Sequence, residues 1–140
     1  MTTSLHGQNY APPFKPEFRY LNLLKDIAAS NNAEVTDGIY VLIPDTYCRG
    51  CVLKQLTSLK QLMKESFISD SLVRLINNSA LAKNFSLLAW DDPNHLSSRT
   101  TLPIGSLTFV RIEKQNVVQV YVVEGIDQVQ INADFFSHPD

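Results

Sequence analysis

Only two cysteines occur in this chain of 140 residues, and they stand close together, at Cys48 and Cys51. That excludes the disulfide scaffold of a small secreted domain, whose bridges are spread along the chain. Histidine is scarce too. His6, His95 and His138 are not at paired spacing, so even with both thiols they form no four-ligand zinc pattern. Five scattered glycines make no phosphate-cradling loop, and no serine triad or carboxylate dyad stands in a usable frame. No apolar run approaches the roughly 20 residues that span a bilayer. A net charge of -2 gives no reason to expect nucleic acid or an anionic membrane surface as partner. Nor does the segment Met1 to Gln8 carry the basic and then apolar regions of a secretion signal.

What is present suits one domain, since 140 residues can bury a core without staples. Residues 1–15 read as a flexible or extended leader, with Pro12 and Pro13 in it and Pro16 just after. The domain is expected over residues 16–140. Pro16 opens a helix over Glu17 to Ser30, in which Phe18, Leu21, Leu24 and Ile27 or Ala28 recur at helical spacing. After the turn signal Asp37-Gly38, the run Ile39 to Ile43 reads as a buried strand.

The stretch Tyr47-Cys48-Arg49-Gly50-Cys51 follows. Behind it, Val52, Leu53, Leu56, Leu59, Leu62 and Met63 predict an amphipathic helix to Glu65. Strand, short loop, Cys-x-x-Cys and helix in that order put Cys48 at a helix N-terminus. Unpaired backbone N–H groups and the helix dipole there favour thiolate over thiol. A nucleophilic cysteine with a second thiol one turn away is the minimal equipment for dithiol–disulfide exchange.

Further on, Ser69 or Asp70 is read as the cap of a second helix with Leu72, Val73, Leu75 and Ile76 on its inner face. Phe85 to Trp90 suits a buried strand, ended by Asp91-Asp92-Pro93. A polar segment, His95 to Thr101, leads to Leu102-Pro103. Ser106 to Glu113 and Val117 to Val123 then predict a hairpin joined by Lys114-Gln115-Asn116. Asp127 to Phe136 fits helix or strand, with helix preferred.

The aromatic-Cys-x-x-Cys at Tyr47 to Cys51, the apolar strand with an acidic exit at Phe85 to Pro93, and Thr101-Leu102-Pro103 ahead of a hairpin together resemble the thioredoxin family. The likeness covers about residues 34 to 136. The strand leading into Pro44-Asp45-Thr46-Tyr47-Cys48 is also similar, more loosely, to thioredoxin-like proteins of bacterial cell envelopes. The resemblance implies an α/β, three-layer sandwich: a mixed sheet of about four strands with helices on both faces. The Ile39 and Phe85 strands should pair in parallel, and the hairpin should be antiparallel.

It further implies that Cys48 attacks a substrate disulfide and that Cys51 resolves the mixed disulfide. Leu102 and a cis Pro103 would then face the pair across a groove. The implied partners are protein or peptide thiols and disulfides and a redox partner protein, with no cofactor. The implied compartment is a bacterial envelope if a signal has been removed, and otherwise the cytoplasm. Two departures stand out. Leu42 occupies the position where the family buries a carboxylate, and Gly50 replaces the usual proline between the cysteines. Arg49, beside Cys48, would favour the thiolate in compensation. Tyr47 could pack beside the thiols or cap the loop. The alternatives are a thioredoxin-like binding module without turnover, and a structural domain with a static Cys48–Cys51 bond.

Overall fold

The computed structural model describes residues 16–45, 48–77, 79–100 and 107–123. The expectations for the leader, Tyr47, Leu102, Pro103 and the 127–136 segment lie outside the described residues.

Alternation along the first strand organises the molecule. In β1 (Gly38–Leu42) the side chains of Ile39 and Val41 join one apolar cluster, while Tyr40 and Leu42 join another on the opposite side. Helix α1 (Pro16–Ser30) covers the second cluster with Tyr20, Leu23, Leu24, Ile27 and Ala28. Helix α2 (Arg49–Glu65) covers the first with Val52, Leu56, Leu59 and Met63. The sheet is therefore buried on both faces, and β1 lies in its middle.

Among the described residues five strands form that sheet, in the order β3-β2-β1-β4-β5. Strands β2 (Val73–Ile76) and β3 (Leu88–Trp90) extend it in parallel from β1, and β4 (Thr108–Glu113) and β5 (Asn116–Val122) complete it antiparallel. The α/β class and the mixed sheet agree with the sequence expectation; the described residues form five strands where about four are expected.

The extra strand is the stretch read from sequence as the inner face of a helix. A 3-10 turn at Asp70–Leu72 precedes it, and Val73 then starts β2. Val73 and Leu75 face the α2 side while Ile76 faces α1, and the Arg74 guanidinium lies 4.5 Å from the centroid of the Trp90 ring. A parallel strand covered on both faces reads as a nearly continuous apolar run, and over four residues that run also matches a helical stripe. This displaces the expected pairing too. β1 takes β2 as its parallel partner, and the Phe85 region contributes the edge strand β3, which begins only at Leu88. Helix α3 (Ser79–Asn84) joins β2 to β3, and the polar 95–101 segment contains a short helix α4 (Leu96–Thr100).

Three helices end without glycine in the left-handed position. Asn32 (φ 53), Phe67 (φ 58) and Ser86 (φ 57) occupy it after α1, α2 and α3. Each time the next residue's N–H returns to a carbonyl five positions back: Ala33 to Ala28, Ile68 to Met63 and Leu87 to Ala82. That closure is the Schellman motif. In the hairpin, Lys114 (φ 52) and Gln115 (φ 63) make a two-residue turn with positive φ at both positions, the geometry that matches strand twist. Gly38 sits at φ +155 with the Leu72 carbonyl oxygen 2.6 Å from where a Cβ would stand, so β1 can start beside the 3-10 turn only with glycine there.

Candidate functional site

The parallel strands β1, β2 and β3 all point the same way, so their carboxyl ends open onto one edge of the sheet. The residues with chemistry collect on this edge.

Past β1, Ile43 and Pro44 are buried and Asp45 is exposed. Cys48 then caps α2. Its Sγ accepts a hydrogen bond from the Cys51 N–H at 3.2 Å, and its carbonyl accepts the Val52 N–H at 3.0 Å. The two cysteines are joined by a disulfide, with Cα atoms 5.1 Å apart. They differ in access. Cys48 is exposed, whereas Cys51, on the third helical residue, is only 5% exposed. A reagent in solution reaches Cys48 and not Cys51. Released from the disulfide, the Cys48 sulfur would keep the Cys51 N–H and the positive end of a 17-residue helix as stabilisers of its thiolate. Arg49 and Gly50 are exposed on the first turn, and a Cβ at Gly50 would meet nothing within 4 Å. No steric demand requires glycine between the cysteines.

The tertiary structure also brings together residues that the sequence keeps apart. The Asp45 carboxylate accepts a hydrogen bond from Asn77 Nδ2, past the end of β2, and lies 2.6 Å from His95 Nδ1, past the end of β3. The Asp45 N–H donates to Ser98 Oγ at 2.8 Å. The Asn77 bond, with help from His95 and Ser98, holds the Asp45 carboxyl below the usual carboxylate range, against a smaller opposing effect of burial. Both partners are held in the left-handed region, Asn77 at φ 83 and His95 at φ 55. Asn77 is tied by its N–H to the Trp90 carbonyl, and His95 by its N–H to that of Asp92. Asp92 itself is buried and accepts the N–H groups of Leu96 and Ser97, which starts α4. Non-glycine residues at positive φ carry strain that persists only where surrounding bonds over-determine them. Here the side chains of the two residues so held, Asn77 and His95, both reach Asp45. Three peptide units separate Asp45 from Cys48, at most about 11 Å between Cα atoms.

Leu42, at the position compared with a family carboxylate, is fully buried in the cluster under α1. It faces away from α2 and its cysteines. A carboxylate there would lie on the other face of the sheet from the helix that bears the thiols.

Gln55 escaped the sequence reading. It lies one turn beyond Cys51 on the stripe of α2 that carries Val52, Leu56 and Leu59, and a polar residue on an apolar stripe was the available signal. It is 1% exposed, and among the described residues neither Oε1 nor Nε2 has a hydrogen-bond partner. Such a group costs on the order of 1–3 kcal/mol. A depression of about 600 Å³ is lined by Lys60, Met63, Lys64, Ile68 and Phe85 at the far end of α2, several turns from Cys48.

Among the described residues no group of three or more His, Cys, Asp or Glu side chains could hold a metal ion, and no helix is long and apolar enough to cross a membrane. No family model, no characterised protein and no solved structure matches the chain.

Proposed function

We propose that this protein is a thioredoxin-like thiol–disulfide oxidoreductase that exchanges disulfides with protein or peptide substrates through Cys48 and Cys51. The observation that carries the reading is the asymmetry of the pair: an exposed sulfur capping a long helix, bonded to a buried one. A bond that only stiffened a loop would have no use for that asymmetry. The mixed sheet, with the cysteines following its central strand and an antiparallel hairpin closing it, supports the fold assignment.

In the reducing direction, Cys48 thiolate attacks one sulfur of a substrate disulfide. The substrate's other sulfur leaves as thiolate, and a mixed disulfide forms. Cys51 then attacks the Cys48 sulfur, releasing the second substrate thiolate and restoring the Cys48–Cys51 bond. The substrate gains two electrons and the protein dithiol loses them, so a partner dithiol must reduce the protein for another cycle.

The test is the pH dependence of Cys48 alkylation in the reduced protein, paired with reduction of a model protein disulfide. The reading expects an alkylation midpoint well below the free-thiol value of about 8.5, and turnover that Cys48→Ser abolishes. A midpoint at or above that value, without turnover, would reject exchange and leave a binding module or a static bond.

A further inference from the structure

Gln55 is a buried polar side chain that packing does not explain, and it lies one turn from Cys51. Methionine or leucine would fill the same volume without burying an unpaired amide. A buried group that wastes both a donor and an acceptor in one state of a protein is a candidate for use in another state. The described state is the disulfide, in which the Cys51 sulfur is consumed by its bond to Cys48.

Reduction changes what Cys51 needs. Its sulfur becomes either a thiol, with a proton to donate, or a thiolate, which requires donors. At 5% exposure, water is poorly placed to meet either need. Gln55 is four residues further along the same helix, so the two Cβ atoms are neighbours, about 5–6 Å apart. Long side chains on a helix lean toward its N-terminus, onto the residue four positions earlier. For Gln55 that residue is Cys51.

We propose that Gln55 is the hydrogen-bond partner of the Cys51 sulfur in the reduced protein, and that it tilts the Cys48–Cys51 couple toward the dithiol. This rests on the exchange reading above. When a thiolate attacks Cys48, the S–S electron pair passes to Cys51, and Gln55 Nε2–H donates to the sulfur as its charge develops. When that sulfur takes up a proton, Gln55 Oε1 accepts the S–H. An amide serves both protonation states without adding a charge to the apolar layer under α2, which a carboxylate or an ammonium cannot do.

The experiment is equilibration of the wild-type protein and Gln55→Met with glutathione, following the reaction of protein dithiol with glutathione disulfide to give protein disulfide and two glutathione thiols. The expected result is an equilibrium constant five- to tenfold larger for Gln55→Met, a tenfold change being about 30 mV for a two-electron couple. A change below twofold, or one toward the dithiol, overturns the proposal. The unsubstituted protein gives a second readout. Reduction should shift the Gln55 side-chain amide NMR signals and slow their hydrogen exchange, and signals indifferent to redox state also overturn it. Neither readout needs a substrate. A displaced equilibrium without turnover rejects the exchange reading and keeps the role of Gln55, whereas turnover with an unmoved equilibrium rejects Gln55 alone.

Discussion

Cys48 has two jobs in this structure, and replacing it by serine or by alanine separates them. Both replacements remove the Cys48–Cys51 bond. With four residues in the closed loop, chain entropy puts the loss at about 2 kcal/mol. Only alanine also removes the side-chain acceptor that the Cys51 N–H now uses. Serine is among the preferred residues at a helix N-cap, and losing such a cap costs about 1 kcal/mol. The expected order of stability is therefore oxidised wild type, then Cys48→Ser, then Cys48→Ala. Successive gaps are about 2 and about 1 kcal/mol. Urea unfolding followed by circular dichroism resolves this: with a slope of about 2 kcal/mol per molar, the midpoints fall by about 1 M and then a further 0.5 M. Because Cys51 is buried, its thiol in either variant should stay monomeric and unlabelled until unfolding. Coincident midpoints for serine and alanine would refute the capping role of Cys48, and with it the argument that the helix start stabilises a Cys48 thiolate.

Two backbone positions give opposite expectations. Phe67 is 94% exposed in the left-handed region, so Phe67→Gly should raise stability by about 1 kcal/mol, read as a higher melting temperature, because it relieves backbone strain and uncovers no core. Gly38→Ala should lower it by about 1–3 kcal/mol, since the new Cβ would press on the Leu72 carbonyl in the first residue of the central strand. For Asp45 the folded carboxyl titrates below its unfolded value, so its contribution is present above the usual carboxylate range and is lost as pH falls through the lowered value. Wild type should thus exceed Asp45→Asn by under about 1 kcal/mol at pH 7, both side chains being exposed. Urea midpoints measured from pH 7 to pH 2 should converge, and a gap that persists at the acid end would refute the assignment.

Much of the candidate site was legible before the fold. An apolar β-branched run, a Cys-x-x-Cys and a 3.6-residue stripe are local patterns, and each reports its own backbone state. They located the strand of Ile39, the helix of Leu56 and the cap at Cys48. The hairpin at Lys114 was legible for the same reason. β2 was not, because Val73 to Ile76 is short and buried on both sides, and in such a run periodicity cannot separate strand from helix. That one element moved the Phe85 segment from the centre of the sheet to its edge.

By itself, then, the sequence determined the α/β class, the place of the cysteines at the start of a long helix and the antiparallel close of the sheet. These follow from side-chain periods and cap chemistry within a few residues. Only the tertiary structure decided that Asp45 meets Asn77 and His95, respectively 32 and 50 residues away, that Leu42 faces α1, and that Gln55 is sealed without a partner among the described residues. Those outcomes depend on which strands pair and which face each helix covers. Pairing and coverage are set by burial summed over the whole sheet, which no local stretch of sequence contains.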